Sequence, residues 1–143
     1  MTDILLTACP VVSGTAEGPA LVSSQPISFW GGVDPHTGRI HDPKHELFGQ
    51  SVSGQILVFP HGKGSSTGSL MMLELVRIYK APAAIINIRT EPILATGPIV
   101  SRYFYGRSIP IITLAPEDFC QIRTGQHLVV NASDGFVCIR DIP

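Results

Sequence analysis

The stretch Pro60-His61-Gly62-Lys63-Gly64-Ser65-Ser66-Thr67-Gly68-Ser69 concentrates groups able to bind an anion and to move a proton. It lies between an apolar run, Gln55-Ile56-Leu57-Val58-Phe59, and a segment that reads as a helix. A strand-to-helix junction puts the loop at a helix N-terminus, where free backbone N–H groups and the helix dipole favour negative charge. Glycines let the backbone approach a ligand closely, and Lys63 adds a positive charge. An ordinary glycine turn with a Ser/Thr cap explains part of the pattern, but not three consecutive hydroxyls flanked by Gly64 and Gly68. The loop therefore reads as an anion or carboxylate site.

Three motifs compete for this loop. A Walker A sequence fails, because no Gly-Lys-Ser/Thr follows a glycine at the required distance. A dinucleotide fingerprint fails where its third glycine would fall, at Thr67. The nucleophile elbow GxSxG does match Gly64-Ser65-Ser66-Thr67-Gly68, and Asp118 and His127 follow in the hydrolase order of acid and then histidine. A serine hydrolase using Ser66 and His127 is thus one reading. Against it, 143 residues leave little room for the usual hydrolase sheet, and His127 falls in a strand pattern. A non-catalytic module that docks to a partner is a further reading.

Other reactive side chains carry weaker signals. His36, His41 and His45, with Asp34 and Asp42, could suggest a metal site. Pro43 between His41 and His45 prevents their sharing one helix face, and a polar loop is the better reading. Cys9, Cys120 and Cys138 are scattered, show no CxxC spacing and form no ligand cluster, as expected of reduced thiols in a cytosolic protein. Trp30, beside Phe29 and two glycines, reads as an interface anchor rather than a core residue. Arg89 and Glu91 directly follow an apolar run, where α/β sites collect, although a surface ion pair explains them equally well.

The elements that must position these residues are clearest in the second half. Gln55–Phe59 reads as a buried strand closed by Pro60. Ser69 to Lys80 reads as a helix, apolar except for a stripe of Glu74, Arg77 and Lys80, and so buried on more than one side. Ala81-Pro82 ends it, and Ala83–Ile88 gives a second buried strand and a βαβ unit. Ile93 to Tyr105 reads as a helix interrupted at Gly97-Pro98, and Ile109–Leu114 as a third strand. Pro116–Phe119 is a helical step. Gln126–Ala132 and Gly135–Ile139 flank a tight turn at Asp134-Gly135 and form a hairpin. In the first half only Ala20–Ser23 reads as a strand, before a long segment rich in turn residues from Gln25 to Ser53. Within that segment lie Phe29–Val33, a turn at Asp34–Gly38, and an N-cap with a short helix at Asp42-Pro43-Lys44-His45.

Composition bounds the function. The 143 residues carry ten Lys+Arg against eleven Asp+Glu, a net charge of −1 that gives no electrostatic case for nucleic acid. Charged residues are 15% of the chain, against roughly 25% in a typical soluble domain, which excludes a disordered chain. No apolar run approaches the ~20 residues of a membrane span, and the N-terminus lacks the basic region of a secretion signal, so a cytoplasmic, membrane-free protein is expected. So little charge means either a bland, Ser/Thr/Gly-rich surface or a surface partly buried against something else. One mixed α/β domain over residues 1–143 is expected.

Gly62-Lys63-Gly64-Ser65-Ser66-Thr67-Gly68-Ser69 resembles the serine loop of the aconitase superfamily's swivel domain. The fuller set is similar to the small subunit of aconitase X enzymes: Glu17–Ser23, Pro26–Pro35, Gly54–Pro60 and Ala81–Asn87, in that order, with the C-terminal hairpin. The resemblance implies a swivelling β/β/α domain with the central βαβ unit and the hairpin. It implies a hydro-lyase that removes water from a hydroxylated carboxylic acid at the interface with a large catalytic subunit. Ser65 takes the position of the proton-abstracting base, and Lys63, Gly64, Ser66 and Thr67 those of substrate-binding residues. No metal is expected on this chain; the iron or iron–sulfur centre belongs to the large subunit. Thr67 stands where ordinary aconitases carry an arginine after the serine pair, which argues against a tricarboxylate. Two substrates fit the family: cis-3-hydroxy-L-proline, dehydrated to 1-pyrroline-2-carboxylate, and 5-phosphomevalonate of an archaeal-type isoprenoid route. The Ser65-Ser66-Thr67 loop and the C-terminal region favour the first.

Overall fold

The computed structural model describes residues 3–62, 66–90 and 92–140. In chain order these form β1 (Ile4–Thr7), β2 (Cys9–Val12), β3 (Thr15–Val22), α1 (Phe29–Gly32), β4 (Ile56–Val58), α2 (Ser66–Arg77), β5 (Ala84–Asn87), α3 (Pro92–Tyr105), β6 (Ile111–Thr113), α4 (Pro116–Phe119), β7 (His127–Asn131) and β8 (Phe136–Arg140). The strand order is β1-β8-β7-β3-β4-β5-β6-β2.

Uninterrupted apolar runs make the centre of the sheet. β3, β4, β5 and β6 pair in parallel, with α2 on the β4–β5 crossover and α3 on the β5–β6 crossover, and β4 and β5 are buried on both faces. The alternation of side chains then divides them between two cores. Leu21, Leu57, Ile85 and Ile111 face α2 and α3, meeting Met72, Leu75, Val76 and Leu94. Ala20, Ile56, Val58, Ile86 and Ile112 face the other way, onto Leu6, Leu128, Val130, Val137 and Ile139 of the antiparallel strands β1, β7 and β8. The result is three layers, sheet on sheet on helices, and the β/β/α architecture and its central βαβ unit are as the sequence indicates.

One strand belongs to both sheets. Thr15–Pro19 of β3 pair antiparallel with β7, while Ala20–Val22 pair parallel with β4. At the opposite corner β1 and β2, separated only by Ala8, lie at the two ends of the strand order. Ala8 N–H donates to Gly135 O at 2.9 Å there. A Cβ on Gly135 would stand 2.9 Å from Ala8 O, so the tight turn of the β7–β8 hairpin needs glycine for space as well as for its φ of +90°.

Several expectations are corrected. α2 begins at Ser66, three residues before the expected start, so Ser66, Thr67 and Gly68 are helical rather than part of a turn. Its inner face is buried, but Leu70 and Tyr79 are exposed, so burial on more than one side holds only in part. α3 runs through Gly97-Pro98 without interruption. Asp42–His45 forms turns instead of a helix: Asp42 Oδ1 accepts from Lys44 N–H at 3.0 Å, which satisfies the side chain locally. The strand expected at Ala20–Ser23 is the end of the longer β3, and β1 and β2 are strands that no sequence pattern predicts.

The end of α2 is held from outside. Lys80 N–H donates to Leu75 O and Tyr79 N–H to Val76 O, a Schellman arrangement with Tyr79 (φ 63°) in the position that usually takes glycine. Arg107, from the segment after α3, lies 3.9 Å from the Tyr79 ring and donates to Val76 O at 2.8 Å. It thus adds a cation at the last carbonyls of α2, the favoured charge at that end.

Gly38 has a φ of +74°, and an added Cβ would meet Lys80 O at 2.8 Å; Gly49 has a φ of +86° with open space around it. Gly38→Ala is therefore expected to cost about 2–3 kcal/mol of stability and Gly49→Ala about 1 kcal/mol. Urea denaturation of the two variants measures the difference; equal losses would show that the Lys80 contact does not matter.

Candidate active site

The carboxyl ends of β3, β4 and β5 lie side by side and carry the segments singled out in the sequence. Where the chain leaves β4, Pro60 O accepts from Ile88 N–H at 2.9 Å and Arg89 N–H at 3.1 Å. Asn87, fully buried at the end of β5, donates from Nδ2 to Phe59 O at 2.8 Å and accepts at Oδ1 from the Thr90 hydroxyl at 3.0 Å. A buried amide that lost these partners would be costly, so Asn87 fixes the exits of β4 and β5 relative to each other. Gly62 forms a parallel bridge with Ile27 and packs against Leu94 of α3, where a Cβ would still find ordinary contact at 3.5 Å. His61 Nδ1–H donates to Gly62 O at 2.8 Å.

These contacts bring the chain to the edge of the serine loop. Lys63, Gly64 and Ser65 lie outside the described residues. Ser66 and Thr67 form the first turn of α2, an end whose unpaired N–H groups and positive dipole face the loop. Trp30 falls in α1, and its expected role at an interface lies outside the described side chains.

A second set of polar groups stands at the end of β3. Glu46 Oε1 accepts from the Ser23 hydroxyl at 2.6 Å and from Ser24 N–H at 2.7 Å, and Glu46 N–H donates to Gln25 Oε1 at 2.8 Å. The Ser23 hydroxyl is the main cause that holds the Glu46 carboxyl below its usual range. Beside it, His45 Nδ1 accepts from Leu47 N–H at 3.1 Å, so Nε2 carries the hydrogen toward Pro26 O at 3.2 Å. Sequence reasoning missed this latch because its partners lie more than twenty residues apart and no spacing links them.

The hydrolase constellation is not assembled. His127 Nε2 bonds Glu17 Oε2 at 3.0 Å and lowers that carboxyl's pKa, while Asp118 accepts from the Gln121 amide at 3.3 Å. Leu128 and Val130 point into the core between the sheets, so His127 lies on the outer side of β7. α2 lies beyond both sheets, on the opposite side of the molecule. Among the described residues no three His, Cys, Asp or Glu side chains gather as a metal site. Cys9 and Cys120 are exposed on separate elements, and Cys138 lies on β8. The described residues therefore do not fit an iron or iron–sulfur centre. In the histidine-rich loop, Asp34 is occupied as a turn acceptor for His36 N–H at 2.8 Å. No helix among the described residues is long and apolar enough to cross a membrane.

With this geometry in place, comparison with known proteins identifies the group. The sequence profile of the aconitase X swivel domain matches residues 5–139. The chain belongs to the aconitase X swivel domain family. The phosphomevalonate dehydratase small subunit of Methanosarcina mazei is 46% identical over 138 residues, covering 96% of this chain and 92% of that subunit. The cis-3-hydroxy-L-proline dehydratase of Hypocrea jecorina is 42% identical over 120 residues, covering 84% of this chain and 20% of that enzyme. The crystal structure of Thermococcus kodakaraensis aconitase X in its holo-form superposes with a TM-score of 0.87 at 42% identity, covering 96% of this chain and 99% of that one. This aconitase X swivel domain is therefore homologous along nearly its whole length to dehydratase components, and the serine-hydrolase reading is set aside.

The Glu46 latch of the swivel domain has a pH signature. Because the folded-state pKa is depressed, its contribution is present above the usual glutamate value of 4.5 and is lost as pH falls through the lowered folded value. Glu46→Gln is expected to speed amide exchange in residues 42–49 at neutral pH, and the difference from wild type should vanish in acid. A pH-independent difference would mean that the carboxylate charge is not what holds the loop.

Proposed function

We propose that this chain is the small subunit of a phosphomevalonate dehydratase, a hydro-lyase of the aconitase X type completed by a large catalytic subunit. The observation that carries this reading is the 46% identity over 92% of a phosphomevalonate dehydratase small subunit, repeated at 45% and 43% in two further archaeal relatives. The Ser65-Ser66-Thr67 loop and the C-terminal region point to cis-3-hydroxy-L-proline. The run of relatives supports the isoprenoid substrate instead, because both substrates use the same loop chemistry and the loop cannot distinguish them.

On this reading Ser65 is the base that takes the proton from the carbon next to the substrate carboxylate. A serine hydroxyl is far too weak an acid to serve at neutral pH unaided. It needs an alkoxide-stabilising environment, which the N–H groups at the start of α2, the charge of Lys63 and exclusion of water by a partner would provide. Gly64 permits close approach, and Ser66 and Thr67 hold the carboxylate or brace Ser65. Thr67 in place of arginine suits a substrate with fewer carboxylates than citrate. The iron or iron–sulfur centre is assigned to the large subunit, in keeping with the family resemblance.

Co-expression with the large subunit, followed by dehydration assays on both substrates, tests the assignment. Turnover of 5-phosphomevalonate without turnover of cis-3-hydroxy-L-proline is expected, and the reverse pattern would sink it. Ser65→Ala is expected to lower kcat by about 10²–10⁴-fold while the two subunits still co-elute in size-exclusion chromatography. Near-normal turnover in that variant would exclude Ser65 as the base.

A further inference from the structure

The outer face of α3 leaves large apolar side chains in solvent. Tyr103 is 87% exposed, Phe104 75% and Ile99 48%, and Val100 beside them is half-buried. Helical spacing sets these four on one stripe, on the side away from the buried Leu94 and Ser101. A surface helix ordinarily turns charge to water, yet α3 has a single charged residue, Arg102, in its fourteen. Two arginines flank the stripe. Toward the sheet edge at β2, Arg102 donates to Ser13 O at 2.6 Å and to Ser13 Oγ at 3.1 Å. Toward α2, Arg107 donates to Val76 O and to the Tyr79 hydroxyl, each at 2.8 Å. Both are held on uncharged oxygens, and among the described residues neither meets a carboxylate. Glu74, the one acid of α2, is taken by Arg77 Nε at 2.8 Å. The Ser108 hydroxyl donates to Pro98 O at 2.8 Å, which fastens the segment carrying Arg107 to α3 before any partner arrives.

An aromatic centre between arginines has the composition of a protein interface, where Tyr, Phe and Arg are enriched. Charge selects the occupant. A second copy of the chain would meet this face about a twofold axis. Antiparallel helices would then bring the Arg102 flank onto itself, and parallel helices would bring it onto the Arg107 flank. Either arrangement sets cation against cation, which opposes self-pairing. The face fits instead an apolar surface of a different chain, bordered by carboxylates. We propose that the outer face of α3 docks the large subunit, which receives Tyr103 and Phe104 in an apolar pocket and faces Arg102 and Arg107 with acidic side chains. This inference rests on the two-subunit reading. It also gives the low charge of the chain a location, because the helix that shows solvent almost no charge is then an interface helix.

The co-expressed two-subunit complex is compared as wild type, as the double variant Tyr103→Ala with Phe104→Ala, as Arg102→Glu and as Leu5→Ala. Dilution in mass photometry reads the Kd between subunits. The double variant is expected to raise Kd at least about thirtyfold at unchanged Tm, because both rings lie mainly outside the core. Arg102→Glu tests the rim without touching the rings, and is expected to raise Kd about tenfold at low salt and less at high salt. Leu5→Ala removes an exposed leucine from β1, in the layer opposite the helices, and should leave Kd unchanged. An unchanged Kd in the double variant overturns the inference, as does an equal rise with Leu5→Ala. Self-association of the wild-type chain alone, abolished by the double variant, would give the face to a second copy and also overturns it. Failure of the underlying reading is seen separately, in a wild-type chain that does not assemble with the large subunit at all.

Discussion

The layered structure depends on β3 serving two sheets at once. Its first half completes the antiparallel ladder with β7 and its second half opens the parallel ladder with β4, so the change of partner happens within one continuous strand. Pro19, the last residue in register with β7, brings no N–H of its own, and Ala20 N–H turns back to Gln126 O at 2.8 Å. A strand shared in this way couples the two hydrophobic cores: loosening one sheet disturbs the register of the other. It also fixes which ends of β3, β4 and β5 stand together, and that is the edge on which all the candidate chemistry is arranged.

The site follows from that edge by a short chain of hydrogen bonds. Asn87 and Pro60 tie the exits of β4 and β5 together, and Gly62 bridges to Ile27 and packs against Leu94 on the way to the serine loop. On the β3 side Glu46 closes the 42–49 segment onto Ser23 and Ser24.

Much of this was legible in the sequence, for identifiable reasons. The buried parallel strands announce themselves as unbroken apolar runs, and the β7–β8 hairpin is marked by alternation around Asp134-Gly135. β1 and β2 were not legible because Ile4–Thr7 and Cys9–Val12 are four-residue strands each with a single buried side chain, too little for any periodicity. The start of α2 was misplaced because Ser66, Thr67 and Gly68 are turn-forming residues that tertiary context carries into a helix. Pro98 predicts a break by its residue type, yet α3 continues through it. Residues 25–53 gave only local turn signals because their order comes from isolated bridges such as Val33 to Ile40 and from the latch at Glu46. The family, the loop and its order along the chain were readable from motifs; the substrate was not, because the motif encodes the shared elimination step.

Tyr79 leads to one mechanical consequence. A tyrosine in a left-handed cap, clasped by Arg107, pins α2 at the end remote from the serine loop, while the exit of β4 pins the approach to its other end. The helix has no freedom to slide along its axis like a piston. Any displacement of α2 must then carry Arg107 and the sheet beneath it along, so this end of the helix moves as one body with the layers it packs on.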